Sequence, residues 1–238
     1  VNAIHLYSGP TPNGRKVAIM LEECGLPFDS TFIDILAGDQ LRPEFLAMNP
    51  NNKHPVIVDQ DGPKGRPITV WESGAILIYL AEKCGTLIPR DPERRIDVLK
   101  WLFFQVASQG PNAGQYAHFA FYAREENRFP YAIERYRSEL DRQALILDAH
   151  FAAHEYVADE YSIADIALLP YSASMLATGD RPNLARWKKA LLARDAVRRG
   201  MAFMEAQTQK ATIAGGMQGF NDEMRSVLFG ERQYKTRR

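Results

Sequence analysis

Apolar residues that recur every second position end at Trp71, and beyond Arg90 every patterned stretch has helical spacing. This segregation limits the chain to a small α/β sheet unit followed by an all-helical one. The first unit reads in order as follows. Residues 3–7 alternate and make a first strand, and residues 14–24 form a helix stopped by Gly25 and Pro27. Thr31 to Ile35 make a second strand, and Arg42 to Met48 a short helix. His54 to Asp59 and Ile68 to Trp71 are two further strands, joined by a Gly- and Pro-rich loop over 60–67. A strongly apolar helix then runs from Ser73 to Cys84 and is stopped by Gly85. One parallel βαβ half joined to an antiparallel hairpin gives a mixed sheet, in the order βαβ-α-ββα.

Residues 87–92 have linker composition, which predicts domains at 1–86 and 93–238. Ile96, Leu99, Leu102, Phe103 and Val106 share a helical face, and Gly110-Pro111 is expected to break or kink that helix. From Ile133 through Tyr136, Leu140, Ala144 and Leu147 to Phe151 the spacing predicts a long amphipathic helix. Ser162 and Asp165 form a capping box that opens a helix apolar nearly all round, the buried centre of a helical domain. Two more helices centre on Trp187 and Met201. The pattern loosens over 213–219, and Asn221 caps a last short helix.

Charge is balanced, with 29 Lys plus Arg against 29 Asp plus Glu in 238 residues. A nucleic-acid binder needs a basic field to displace counterions, so nucleic acid is not an expected partner. The longest apolar run, Ala75 to Ala81, is too short to span a bilayer, and no charged-then-apolar leader opens the chain. Cys24 and Cys84 read as small core residues in a reducing compartment, with a disulfide between them left open. A cytoplasmic protein without membrane contact is expected. His150 and His154 stand four apart on one helix face without an evident third ligand, so no metal site is expected.

The turn from Tyr7 to Lys16 is a candidate site. Two prolines and two glycines fix it between strand and helix, and Ser8, Thr11 and Asn13 offer short polar groups. A helix N-terminus presents free N–H donors and partial positive charge, which suit an anion or a thiolate. An ordinary N-cap by Thr11 or Asn13 is equally consistent with the turn alone.

The order of elements and four segments resemble the cytosolic glutathione transferases, over nearly the whole chain. The segments are Pro10-Thr11-Pro12-Asn13-Gly14, Asn49-Pro50-Asn51-Asn52-Lys53, Glu72-Ser73-Gly74-Ala75-Ile76-Leu77 and Tyr131-Ala132-Ile133-Glu134-Arg135-Tyr136. Together they look like the Nu class, which is similar to a fungal nitrogen-catabolite regulator. The resemblance implies a thioredoxin-like glutathione-binding domain, an all-α domain, glutathione as cosubstrate, no metal and a homodimer. His54-Pro55 matches the family's cis-proline motif, where the residue before proline pairs its backbone with the cysteinyl unit. Glu72 and Ser73 match the pair that holds the γ-glutamyl end. Lys53, Gln40 and Arg135 match further glutathione contacts, Arg135 coming from the partner subunit or from the helical domain.

Thr11 and Asn13 stand where the class places its contacts to the glutathione sulfur. Tyr7 and Ser8 are alternative thiol activators by type, Tyr7 equally a core residue. No cysteine lies in the turn, so glutathione itself has to be the nucleophile. Tyr116 and Phe119, with His118, Phe121 and Tyr122, would line a second-substrate pocket or serve as core or dimer contacts. The implied reaction is attack of glutathione thiolate on a disulfide or another small electrophile. A thioether or β-aryl-ether lyase would use the same site, and a non-catalytic glutathione-binding regulator is the rival of another class.

Overall fold

The computed structural model describes residues 2–174, 180–208, 210 and 220–235. The expected loosening over 213–219, the tail from Ala211 to Gly219 and the basic end at 236–238 lie outside them. Two compact units emerge, Val1–Ile76 with Arg199–Arg238, and Leu77–Arg198. Among the described residues every strand precedes 87–92, whereas packing divides the chain after Ile76 and again after Arg198.

In the first unit β1 (Ile4–Ser8) lies inside a four-stranded sheet, parallel to β2 (Phe28–Phe32) and antiparallel to β3 (Val56–Asp59). β4 (Ile68–Trp71) adds antiparallel to β3, so the order is β2-β1-β3-β4. This is the expected thioredoxin-like arrangement. Register pairs Ser8 with Phe32 and Tyr7 with Val56. The turn after β1 therefore leaves the sheet beside the residues that open β3.

Two boundaries differ from expectation. β2 begins at Phe28 and ends at Phe32, earlier than the expected Thr31 to Ile35. The Asp34 carboxylate accepts from the N–H groups of Leu36 and Ala37 (3.0 and 3.3 Å), and the Asp34 N–H donates to Asp39 (2.9 Å). That local turn takes the backbone out of the ladder. α1 (Pro12–Glu23) begins before Gly14, because Thr11 caps it and proline suits its first position. Its end is a Schellman motif: Gly25 (φ 61°) donates to Glu22 and Leu26 donates back to Leu21.

α1 is enclosed. Val17, Ala18, Ile19, Met20 and Leu21 are all fully buried. α9 (Asp195–Thr208) accounts for part of this and for why the C-terminal segment belongs to this unit. A Cβ on Gly200 would come within 2.6 Å of the Ile19 backbone nitrogen, so only glycine permits the approach. Phe203 meets Phe28 edge-on at 5.1 Å, and Arg199 pairs with Glu22 at 2.6 Å.

α2 (Pro43–Met48) precedes β3, and α3 (Ser73–Cys84) follows β4 and crosses the division between units. In the second unit α4 (Pro92–Phe104), a π turn (Gln105–Gln109), α5 (Gly110–Ala117) and a second π turn (His118–Tyr122) are continuous in sequence. At Gly110-Pro111 the α-helical ladder is interrupted, within the expectation of a break or kink, and helical backbone continues on both sides. Proline lacks an N–H and crowds the carbonyl four residues back. The π turn, closed by Gly110 N–H to Gln105 C=O, widens the ladder just before it.

α6 (Pro130–Phe151) buries Leu140, Ala144, Leu147 and Phe151 on one face. α7 (Ile163–Ser174) has fully buried Ile163, Ala164, Ile166, Ala167, Leu168 and Leu169, as its all-apolar pattern predicts. The Asp165 carboxylate accepts from the N–H of Val157 (3.0 Å) and Ser162 (3.1 Å), the Ser162 hydroxyl (3.3 Å) and the Trp187 indole (2.8 Å). Trp187 lies on α8 (Pro182–Leu192) and stacks on Phe151 at 4.8 Å. Asn221 caps α10 (Asp222–Phe229) by accepting from the Met224 N–H (3.0 Å), as expected, and a short α11 (Arg232–Lys235) follows. No disulfide joins Cys24 and Cys84, which are half-buried rather than in the core.

Candidate glutathione site

Close approach shapes the turn after β1. A Cβ on Gly14 would lie 2.2 Å from the Gly9 carbonyl oxygen and 2.5 Å from the Ser8 hydroxyl. Glycine at 14 lets the first turn of α1 fold back over Ser8 and Gly9. Thr11 Oγ1 accepts the Gly14 N–H at 3.2 Å, so the N-cap reading holds. That bond uses an oxygen lone pair and leaves the hydroxyl hydrogen outside the cap.

Asn13 and Ser73 come together from the first turns of α1 and α3. The Ser73 hydroxyl donates to Asn13 Oδ1 at 3.5 Å. Between them lies Lys16, only 1% exposed, whose Nζ donates to Asn13 Oδ1 (2.8 Å) and Ser73 Oγ (3.2 Å). Burial pulls the Lys16 amine down to about 7, and the Glu72 carboxylate opposes the fall. Sequence reasoning missed Lys16, since a lysine on a helix is ordinarily a solvated residue. The available clue was Val17 to Leu21, five consecutive apolar residues that leave that turn no polar face.

Glu72 joins β4 to α3 with a left-handed backbone (φ 69°), uncommon for a residue with a side chain. Its carbonyl accepts the Ile76 N–H, so it caps α3, while its carboxylate accepts from Asn51 Nδ2 at 3.4 Å. The 49–53 loop is closed by Asn49, which donates to the Lys53 carbonyl (2.6 Å) and accepts from the Asn51 N–H (2.9 Å). The Lys53 side chain is exposed.

The His54-Pro55 peptide is cis, as the motif implies. His54 Nδ1 stands 3.3 Å from the Ser8 hydroxyl. Burial, and secondarily Lys53, pull the His54 ring down to about 4, so it is neutral near pH 7. Tyr7 packs against the cluster of Ile33, Phe45 and Val56, which supports its core reading. Gln40 is buried, and its amide donates to the Ile35 carbonyl (3.0 Å) within its own loop.

Thr11, Asn13, Gln40, Lys53, His54, Pro55, Glu72 and Ser73 all belong to the first unit. Tyr116, Phe119 and Arg135 belong to the second. Arg135 is a half-exposed cation on α6 paired with Glu139 at 3.5 Å. Phe119 stacks parallel to Tyr136 at 6.1 Å, and Tyr116 meets Phe121 edge-on at 5.8 Å. The His150 and His154 rings stack at 4.1 Å, and no cluster of three or more metal-ligand residues occurs among the described residues. Nor, among those residues, is any helix long and apolar enough to cross a membrane.

The architecture is that of a thioredoxin-like domain joined to a helical one. Residues 11–83 match the model of the glutathione S-transferase N-terminal domain. The chain is 41% identical over 212 residues to the disulfide-bond oxidoreductase YfcG of Escherichia coli (strain K12), covering 86% of this chain and 96% of that protein. A crystal structure of a glutathione transferase from Burkholderia graminis, with two glutathione molecules bound per subunit, superposes with a TM-score of 0.79. It shares 43% identity and covers 84% of this chain and 88% of its own. A glutathione transferase from Pseudomonas putida, with one glutathione disulfide bound per subunit, gives 0.78 at 40% identity over 84% and 91% of the two chains. The chain belongs to the glutathione S-transferase family.

Proposed function

We propose that this chain is a glutathione-dependent disulfide oxidoreductase and transferase of the Nu class, a cytoplasmic homodimer. The observation that carries the reading is the meeting of Asn13 and Ser73, one from each of two helix N-termini, over the buried Lys16. A single ligand can engage both ends of such a site. Its sulfur contacts Thr11 and Asn13. Its γ-glutamyl carboxylate takes the α3 N-terminus at Ser73, and its ammonium takes Glu72. The His54 backbone before Pro55 pairs with the cysteinyl unit, and Lys53, Gln40 and Arg135 add contacts. Tyr116 and Phe119 face the second substrate. The relatives with bound glutathione or its disulfide support this assignment.

The chemistry needs no enzyme cysteine. Glutathione thiolate attacks one sulfur of a disulfide, forming a mixed disulfide and expelling the other sulfur as thiolate, which takes a proton. A second glutathione thiolate attacks the mixed disulfide, giving glutathione disulfide and a second thiol. A free thiol with a pKa of about 8.5 is only a few per cent ionised at neutral pH, so complete ionisation gains roughly thirtyfold. Holding the electrophile against the sulfur supplies the remainder.

A hydroxyethyl-disulfide assay coupled to glutathione reductase tests the reading. Wild type turns over with glutathione, and Asn13→Ala lowers kcat by roughly ten- to a hundredfold, the loss of a hydrogen bond to charged sulfur. Wild-type kinetics in Asn13→Ala would refute the sulfur assignment. Glutathione binding without turnover would make the protein a regulator.

A further inference from the structure

We propose that Lys16 is a positioning residue that sets the orientation of the Asn13 carboxamide and, through Ser73, ties the sulfur end of the glutathione site to its γ-glutamyl end. The inference rests on the reading of Asn13 and Ser73 as glutathione contacts.

Three observations carry it. Lys16 is 1% exposed, in a helix whose following five residues are fully buried, so its amine is held in place rather than sampling solvent. Its Nζ reaches Asn13 Oδ1 at 2.8 Å and Ser73 Oγ at 3.2 Å. The Ser73 hydroxyl points its own hydrogen at the same Asn13 oxygen, at 3.5 Å.

Chemistry then fixes the amide. The protonated Lys16 amine donates only, and the Ser73 hydroxyl donates to the same atom whatever the charge on Lys16, so the Asn13 atom facing them is the oxygen. Turning the carboxamide over would set N–H against N–H in a buried position, leaving donors without acceptors. The Nδ2 end is thereby directed away from Lys16, and its two hydrogens are the donors a thiolate needs. Ser73 accepts from Lys16 and donates to Asn13, so movement at either ligand contact is felt at the other. Glu72, just before Ser73 at the start of α3, is a charged group that acts on the Lys16 amine.

A double-mutant cycle on the full chain tests this, with Lys16→Met as the variant that keeps the aliphatic stem. The readouts are steady-state kcat and glutathione KM, and the thiolate absorbance of bound glutathione. Lys16→Met is expected to lower kcat roughly tenfold, the size of one charge-assisted hydrogen bond, and to lower the bound thiolate fraction with it. Lys16→Gln, which keeps an N–H donor, recovers part of both. In the Asn13→Ala background the methionine substitution should change kcat less than about twofold, because the group it orients is gone. Lys16→Met should also raise glutathione KM through the lost bond to Ser73, and that rise should persist in the Asn13→Ala background.

Losses in kcat that multiply across the cycle would overturn the inference while leaving Asn13 as the sulfur contact. So would an unchanged thiolate fraction in Lys16→Met. An Asn13→Ala variant with wild-type kinetics would instead remove the underlying reading, and this inference with it. The same cycle run with Lys16→Gln gives the answer if the methionine variant does not fold.

Discussion

The molecule holds two buried ionisable networks that look alike in outline and differ in what they leave unused. In the second unit four donors converge on the Asp165 carboxylate: two backbone N–H groups, the Ser162 hydroxyl and the Trp187 indole. Burial pushes this carboxyl up to about 6, so it is still ionised at pH 7. Every partner belongs to a cap, a loop or the core. In the first unit the Lys16 amine holds two side chains, Asn13 and Ser73, which each keep capacity beyond the network: the Nδ2 hydrogens of one, the helix start of the other. A network that closes on itself stabilises a fold. One that immobilises half of each side chain and presents the other half prepares a site.

Substitutions can break this contrast. The largest effect is expected at Asp165. Asp165→Ala leaves buried donors of Val157, Ser162 and Trp187 without an acceptor, and costs about 3 kcal/mol or more. Urea unfolding would show it, with specific activity of the folded fraction close to wild type. A loss in kcat without a loss in stability would erase the distinction. Asn13→Ala should reverse the balance, lowering turnover while costing about 1–2 kcal/mol of stability, less than Asp165→Ala because the buried Lys16 amine keeps Ser73 as an acceptor. Ser73→Ala sharpens the roles within the site. It is expected to raise glutathione KM by roughly tenfold, about 1.4 kcal/mol, with a smaller effect on kcat.

A further effect is read from pH. The Lys16 amine titrates near 7 in the folded chain and near 10.5 when unfolded. Between these values the folded state binds fewer protons, so stability rises as pH increases from 7 toward 10.5. The slope contributed by this one group approaches about 1.4 kcal/mol per pH unit. Lys16→Met removes it, so unfolding free energies measured at pH 7 and 9 should differ less in the variant than in wild type.

The same contrast governs what could be read from the sequence. Asp165 was legible because a capping box is local: Ser162 and Asp165 are three apart, just before an apolar run. Thr11 was legible for the same reason, as were the long face of α6 and the Gly25 stop. The Asn13–Ser73 meeting joins residues sixty apart, and only the family resemblance placed both in one site. Lys16 was hidden because its burial depends on what surrounds α1, including the approach of Gly200 from far along the chain. β2 was shifted because alternation continues through Thr31 to Ile35 while Asp34 turns the backbone away. At Gly110-Pro111 the sequence signals an interruption, and the structure makes it a π turn rather than an end, a choice that proline alone leaves open.

The central claim is that the turn around Thr11 and Asn13 holds glutathione as its thiolate. Its most direct test is a titration of bound glutathione, following thiolate absorbance from pH 5 to 9 in wild type and Asn13→Ala. The account predicts a bound thiol that ionises clearly below the free value of about 8.5 in wild type, and a return toward that value in the variant. A bound thiol that titrates at the free value in wild type, or identically in both proteins, would contradict it.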